Sequence, residues 1–160
     1  MKGTSLVAYM IFGGVIFTFS SLLAADQGSD GAVDRPAPEQ EAHIHELEED
    51  MEWGPCPDFM PDGCGIAVLQ GDPGEENADV LFRMAPDTTV PEHWHTSAER
   101  MVLVAGEMVV DYEGQDPVRL TPGTYAYGPA GLPHVTHCES DEECLLFIAF
   151  EEPVDAHPHD

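Results

Sequence analysis

Between residues 53 and 150 this chain is cut into short apolar runs by glycine and proline, of which the whole sequence holds 15 and 14. No stretch carries the i, i+3, i+4 apolar repeat of an amphipathic helix. Short runs rich in Val, Ile, Leu, Phe and Tyr recur instead, which is the signature of strands. The candidate strands cover 65–70, 80–84, 100–105, 107–112, 118–120, 124–127, 135–138 and 145–150. Gly106-Glu107, Glu113-Gly114 and Pro122-Gly123 supply turns between them. Many short strands with turns at close spacing predict one all-β domain, a sandwich or barrel, with Met108, Tyr125 and Tyr127 in its core.

The flanking segments read differently. Residues 1–25 combine a basic Lys2, an apolar run from Leu6 to Leu23 and the small pair Ala24-Ala25, which predicts a secretory signal peptide. An uncleaved membrane anchor is the alternative reading. Residues 26–52 are rich in Asp, Glu, Pro, Ala and Gly and have few large apolar residues, which predicts an acidic flexible arm. The domain proper spans 53–152, and 153–160 form a polar tail.

Charge excludes one class of partner. After residue 25 four arginines face all 31 acidic residues, which leaves −27. That field repels nucleic acid and anionic membrane surfaces and raises the local concentration of divalent cations. No stable membrane association is expected once the signal segment is cleaved. The protein is therefore expected to be secreted or periplasmic. An oxidising compartment makes disulfides of four cysteines. Cys56–Cys64 encloses a turn-rich loop and Cys138–Cys144 a polar turn, so local pairing is expected.

Within the domain His93, His95 and Glu99 stand at i, i+2 and i+6. On one extended strand such residues share a face, which predicts three converging metal ligands. Imidazole and carboxylate together suit one divalent first-row ion, and its release is expected as pH falls through the histidine range, near 6.5. His134, in a second strand-and-turn unit, is the fourth candidate ligand. The same parity puts Met101 and Leu103 on the face of Glu99, and Thr136 on that of His134, where they would line an apolar pocket for a small molecule. Buried histidines satisfied by hydrogen bonds alone are the competing reading. Trp94 and His137 have the opposite parity, so Trp94 is read as outer packing and His137 as a non-ligand. Arg83 and Arg100 read as surface ion pairs. His43-Ile-His45, three residues, Glu49 repeats the short pattern in the arm without a following strand or a second motif, and reads as coincidence. His157 and His159 in the tail read likewise.

Two stretches of the domain resemble the motifs of the cupin superfamily. The first is His93-x-His95, three residues, Glu99, six residues, Gly106; the second is Gly123, five residues, Pro129-x-Gly131-x-x-His134. The last motif position, usually Asn in the family, is Cys138 here. The resemblance implies a cupin-type β-barrel (a double-stranded β-helix, or jelly roll) with His93, His95, Glu99 and His134 as metal ligands. Glu99 is also a candidate base, because the equivalent carboxylate acts so in some cupins. Sheet-edge pairing into a homodimer is a further fold-level expectation.

Three functions stay open at this level. The first is a metal-dependent enzyme of oxygenase or lyase type acting on a small oxygenated molecule. The second is a non-catalytic binder or store of a metal or small metabolite. The third, a metal-free sugar isomerase, would not need four ligands. A chain that crosses the membrane unfolded acquires its ion outside the cytoplasm, where intrinsic affinity favours zinc or copper over iron or manganese, and nickel is a further possibility.

Overall fold

A computed structural model describes residues 50–159 together with Ala42, His45 and Leu47. The signal segment, most of the arm with His43 and Glu49, and Asp160 lie outside the described residues.

No helix occurs among the described residues. The strands are β1 (Gly54–Pro55), β2 (Gly65–Gln70), β3 (Asp79–Met84), β4 (Thr89–Trp94), β5 (Glu99–Ala105), β6 (Met108–Tyr112), β7 (Val118–Leu120), β8 (Tyr125–Gly128), β9 (His134–Cys138), β10 (Cys144–Phe150) and β11 (His157–Pro158). They form a six-stranded sheet in the order β1-β2-β3-β10-β5-β8 and a five-stranded sheet in the order β11-β4-β9-β6-β7. Every pairing is antiparallel.

Alternation explains why two sheets suffice. Glu99, Met101 and Leu103 of β5 are buried while their neighbours are half-covered, and Met108, Val110 and Tyr112 of β6 repeat the pattern. One apolar cluster draws Phe82, Met84, Leu103, Leu146 and Ile148 from the first sheet and Val90, Met108, Val110 and Leu120 from the second. It is the core between the sheets. A second cluster, of Ala67, Leu81 and Leu145 with Trp53, Leu69 and Phe147, covers the other side of β2, β3 and β10. Burial on both faces is why β3 and β10 are almost continuously apolar.

Two turns are fixed by chemistry. Gly106 has φ of 80°, and a Cβ there would stand 2.8 Å from Cys144 Sγ and 2.9 Å from Cys144 Cα. Only glycine fits both the backbone and the space. Cys138–Cys144 closes the turn between β9 and β10, and Cys56–Cys64 closes the loop before β2, with Cα separations of 5.8 and 5.9 Å.

Tyr125 and Tyr127 are not core: they are 60% and 54% exposed. They alternate along β8, an edge strand, on the face opposite to that of Ala126, whereas Met108 is fully buried as expected. Arg100 pairs with Glu151 at the surface, but Arg83 lies over the Trp53 ring, 4.3 Å from its centroid. Arg119 bridges Glu107 and Glu139.

Candidate metal centre

His93, His95 and Glu99 do not share one strand. β4 ends at Trp94 and β5 begins at Glu99, so a turn over 95–98 separates His95 from Glu99. Convergence comes from that turn and from strand register rather than from parity along one strand. Buried Ser97 holds the turn: its hydroxyl donates to Ala98 O at 2.7 Å and accepts from the N–H groups of Glu151 and Glu152 at 2.9 and 3.1 Å. The neighbouring β9 places His134 directly opposite His93.

Ring nitrogens of His93, His95 and His134 all lie within 4.8 Å of one another, and all three residues are buried. Each ring is oriented by a backbone carbonyl. Nδ1 of His93 meets Pro91 O at 2.8 Å, Nδ1 of His134 meets Leu132 O at 3.1 Å, and Nδ1 of His95 meets Asp155 O. A carbonyl only accepts, so Nδ1 carries the proton and the Nε2 lone pair is left free for a metal, the usual outer-sphere arrangement of histidine ligands. Glu99 Oε1 lies 3.4 Å from His95 Nε2, and Oε2 lies 3.9 Å from His134 Nε2. Burial, with the neighbouring imidazoles, pushes His93 down to about 3, and burial pushes His134 down to about 4. Both rings are thus neutral donors near pH 7. Burial raises the Glu99 carboxyl, against the pull of His95. No Lys or Arg stands beside the buried Glu99 carboxylate in the cavity lining to compensate its charge, and a divalent ion would do so. The donor set therefore fits such an ion.

The centre opens on a cavity of about 220 Å³. Met101 and Thr136 line it, as parity predicts. Leu103 does not: two residues further along β5 it is buried in the core, where it pairs with Leu146. Sequence reasoning missed Phe82, Phe150 and Tyr112, which also line the cavity. It missed the tail as well. Val154, Asp155 and Ala156 form part of the wall, and β11 pairs with β4, opposing His157 to Trp94. Trp94 packs on the outside, its ring stacked 4.4 Å from that of His157. His137 faces away and contacts Thr89 Oγ1 at 2.8 Å.

A family model for the cupin domain matches residues 80–150, which hold all four candidate ligands and both motifs. These residues carry a cupin domain. The fold of this cupin is similar to that of solved structures at low sequence identity. A structure from the DMSP lyases RdDddP and RnDddQII aligns with a TM-score of 0.61 at 17% identity, over 69% of this chain and 63% of that one. DMSP lyase DddQ from Ruegeria pomeroyi DSS-3 aligns with a TM-score of 0.58 at 22% identity, over 68% and 60%. The polyketide cyclase RemF from Streptomyces resistomycificus aligns with a TM-score of 0.64 at 15% identity, over 76% and 87%. The cupin thus spans about three fifths of the length of the two lyase chains. No curated protein matches it in sequence.

Proposed function

We propose that this cupin is an exported metal-dependent enzyme, of lyase or oxygenase type, acting on a small oxygenated organic molecule. The observation that carries the reading is three buried, carbonyl-oriented imidazoles and Glu99 at the wall of a largely apolar cavity. A divalent ion held there would supply Lewis-acid or redox chemistry to an oxygen-bearing ligand. His93, His95 and His134 would hold it as neutral donors, with Glu99 as the anionic ligand. When not bound to the ion, the Glu99 carboxylate is the base beside the cavity, and its burial-raised pKa suits it to taking up a proton. Phe82, Ile148 and Phe150 exclude water around the bound molecule. The signal-like leader and two disulfides support folding in an oxidising compartment, and acquisition of the ion there favours zinc or copper.

The test uses protein isolated from its native compartment without added metal. It should contain zinc or copper. The same sample is assayed on DMSP, β-diketones, flavonols and uronates, before and after chelation. Turnover that disappears on chelation and returns with metal is the expected result. Stoichiometric metal with no turnover on the whole panel would contradict the enzymatic reading and leave binding or storage of a metal or metabolite.

A further inference from the structure

One polar group of the cavity is used neither by the fold nor by the candidate ligand set. Tyr112 closes β6 directly opposite His134, and His134 stands opposite His93, so the three form one row across β4, β9 and β6. The Tyr112 ring lies 5.1 Å from that of His134, is 9% exposed and lines the cavity. Its hydroxyl has no hydrogen-bond partner among the protein atoms. A buried hydroxyl without a partner destabilises a fold, so this one does nothing for folding.

The facing sheet makes room for it. Gly128 of β8 stands opposite Glu99 of β5. A Cβ on Gly128 would lie 3.0 Å from Tyr112 Oη and 3.1 Å from Glu99 Oε2. Bare backbone at that position therefore leaves the phenol and the carboxylate oxygen at a common corner. Neither Lys nor Arg lines the cavity, so a phosphate ester or other polyanion would meet no countercharge from the side chains.

We propose that Tyr112 is a ligand-binding group, donating its phenolic hydrogen to an oxygen of the molecule that fills the cavity. The chemical class this selects is a small compound with one carbonyl or carboxylate oxygen on an apolar body. The proposal rests on the cavity being a small-molecule site, as put forward above.

Tyr112→Phe removes one oxygen to which no protein atom hydrogen-bonds, so metal content should be unchanged and the melting temperature equal or higher. Isobutyrate and 3-methyl-2-butanone, an oxygen function on a branched apolar body, serve as probes. They are titrated into protein with and without added zinc, with tyrosine labelled at ¹³Cζ. The Tyr112 resonance is identified by its absence from the variant. It should shift on saturation while those of exposed Tyr125 and Tyr127 stay, and the variant should bind about tenfold more weakly. Equal affinity in both proteins, an unmoved Tyr112 resonance, or no binding of either probe by the wild type would each overturn the proposal. A lower melting temperature in the variant with unchanged affinity would also overturn it, and would assign the hydroxyl to folding. Failure to take up zinc would sink the metal-centre reading alone, and the metal-free titration would still decide the role of Tyr112.

Discussion

An imidazole becomes a dependable ligand when something else holds its second nitrogen, and in this chain backbone carbonyls do so for all three. Two of those carbonyls, Pro91 and Leu132, lie two residues before the ring they orient. Orientation is thus built into the same short segments that carry the ligands. Burial gives these rings a pH signature. His93 falls to about 3 and His134 to about 4, from 6.5. Between those values and 6.5 the unfolded chain binds protons that the folded chain refuses, so acidification favours unfolding. The slope is at most about 1.4 kcal/mol per pH unit for each histidine. Glu99 works in the opposite sense, since its raised pKa lets the folded state take up a proton first. Two histidines against one carboxylate leave a net loss of stability in the metal-free protein from pH 6.5 downward. Denaturant titrations from pH 7 to pH 4 should show it, and bound metal should be retained below pH 6.5, lower than unperturbed histidines would allow. A flat stability profile, or half-release of metal at pH 6.5 or above, would contradict this. The histidines that the fold brings together were legible in the sequence because their spacing is a local pattern. Tyr112 was not, since its importance comes from register with His134 across two strands, and register is a tertiary property.

Most strands were also legible, to within a residue or two, wherever alternation or a continuous apolar run marks them. β4 stands outside the candidate strands because Pro91 interrupts it and its exposed residues outnumber its buried ones, and the parity argument ran its end on into Glu99 as one strand. β11 was missed because a two-residue strand of His157 and Pro158 carries no periodic signal. Yet β11 holds the segment that matters most outside the motifs. Asp155 accepts from the His95 ring through its carbonyl and from the Thr96 N–H through its carboxylate at 2.8 Å. His157 stacks on Trp94 and pairs with Asp155 at 3.0 Å. The His159 N–H donates to Glu92 O at 3.0 Å. The tail is therefore a clasp that orients one of the three imidazoles. Deleting residues 154–160 should weaken metal binding by about 10- to 100-fold, the usual effect of losing an outer-sphere partner. Competition with a chromophoric chelator measures it. Unchanged affinity would show that the His95 ring needs no carbonyl from the tail.

At the scale of the molecule, three properties support one another. Two disulfides tie down loops at the edges of the fold. The loop closed by Cys56–Cys64 carries Pro57 and Met60 into the cavity wall and Phe59 to within 6.1 Å of the His93 ring. The chain as a whole carries an excess of acidic residues, while the candidate centre offers three imidazoles to one carboxylate, so general attraction for cations would belong to the overall charge and affinity to the site. The central claim is that one divalent ion sits among His93, His95, His134 and Glu99. Metal analysis of the wild type beside a His93→Ala/His134→Ala double variant, each purified identically and checked for folding, tests it most directly. One ion per chain in the wild type and none above background in the variant is the predicted result; one ion per chain in both, or in neither, would contradict it.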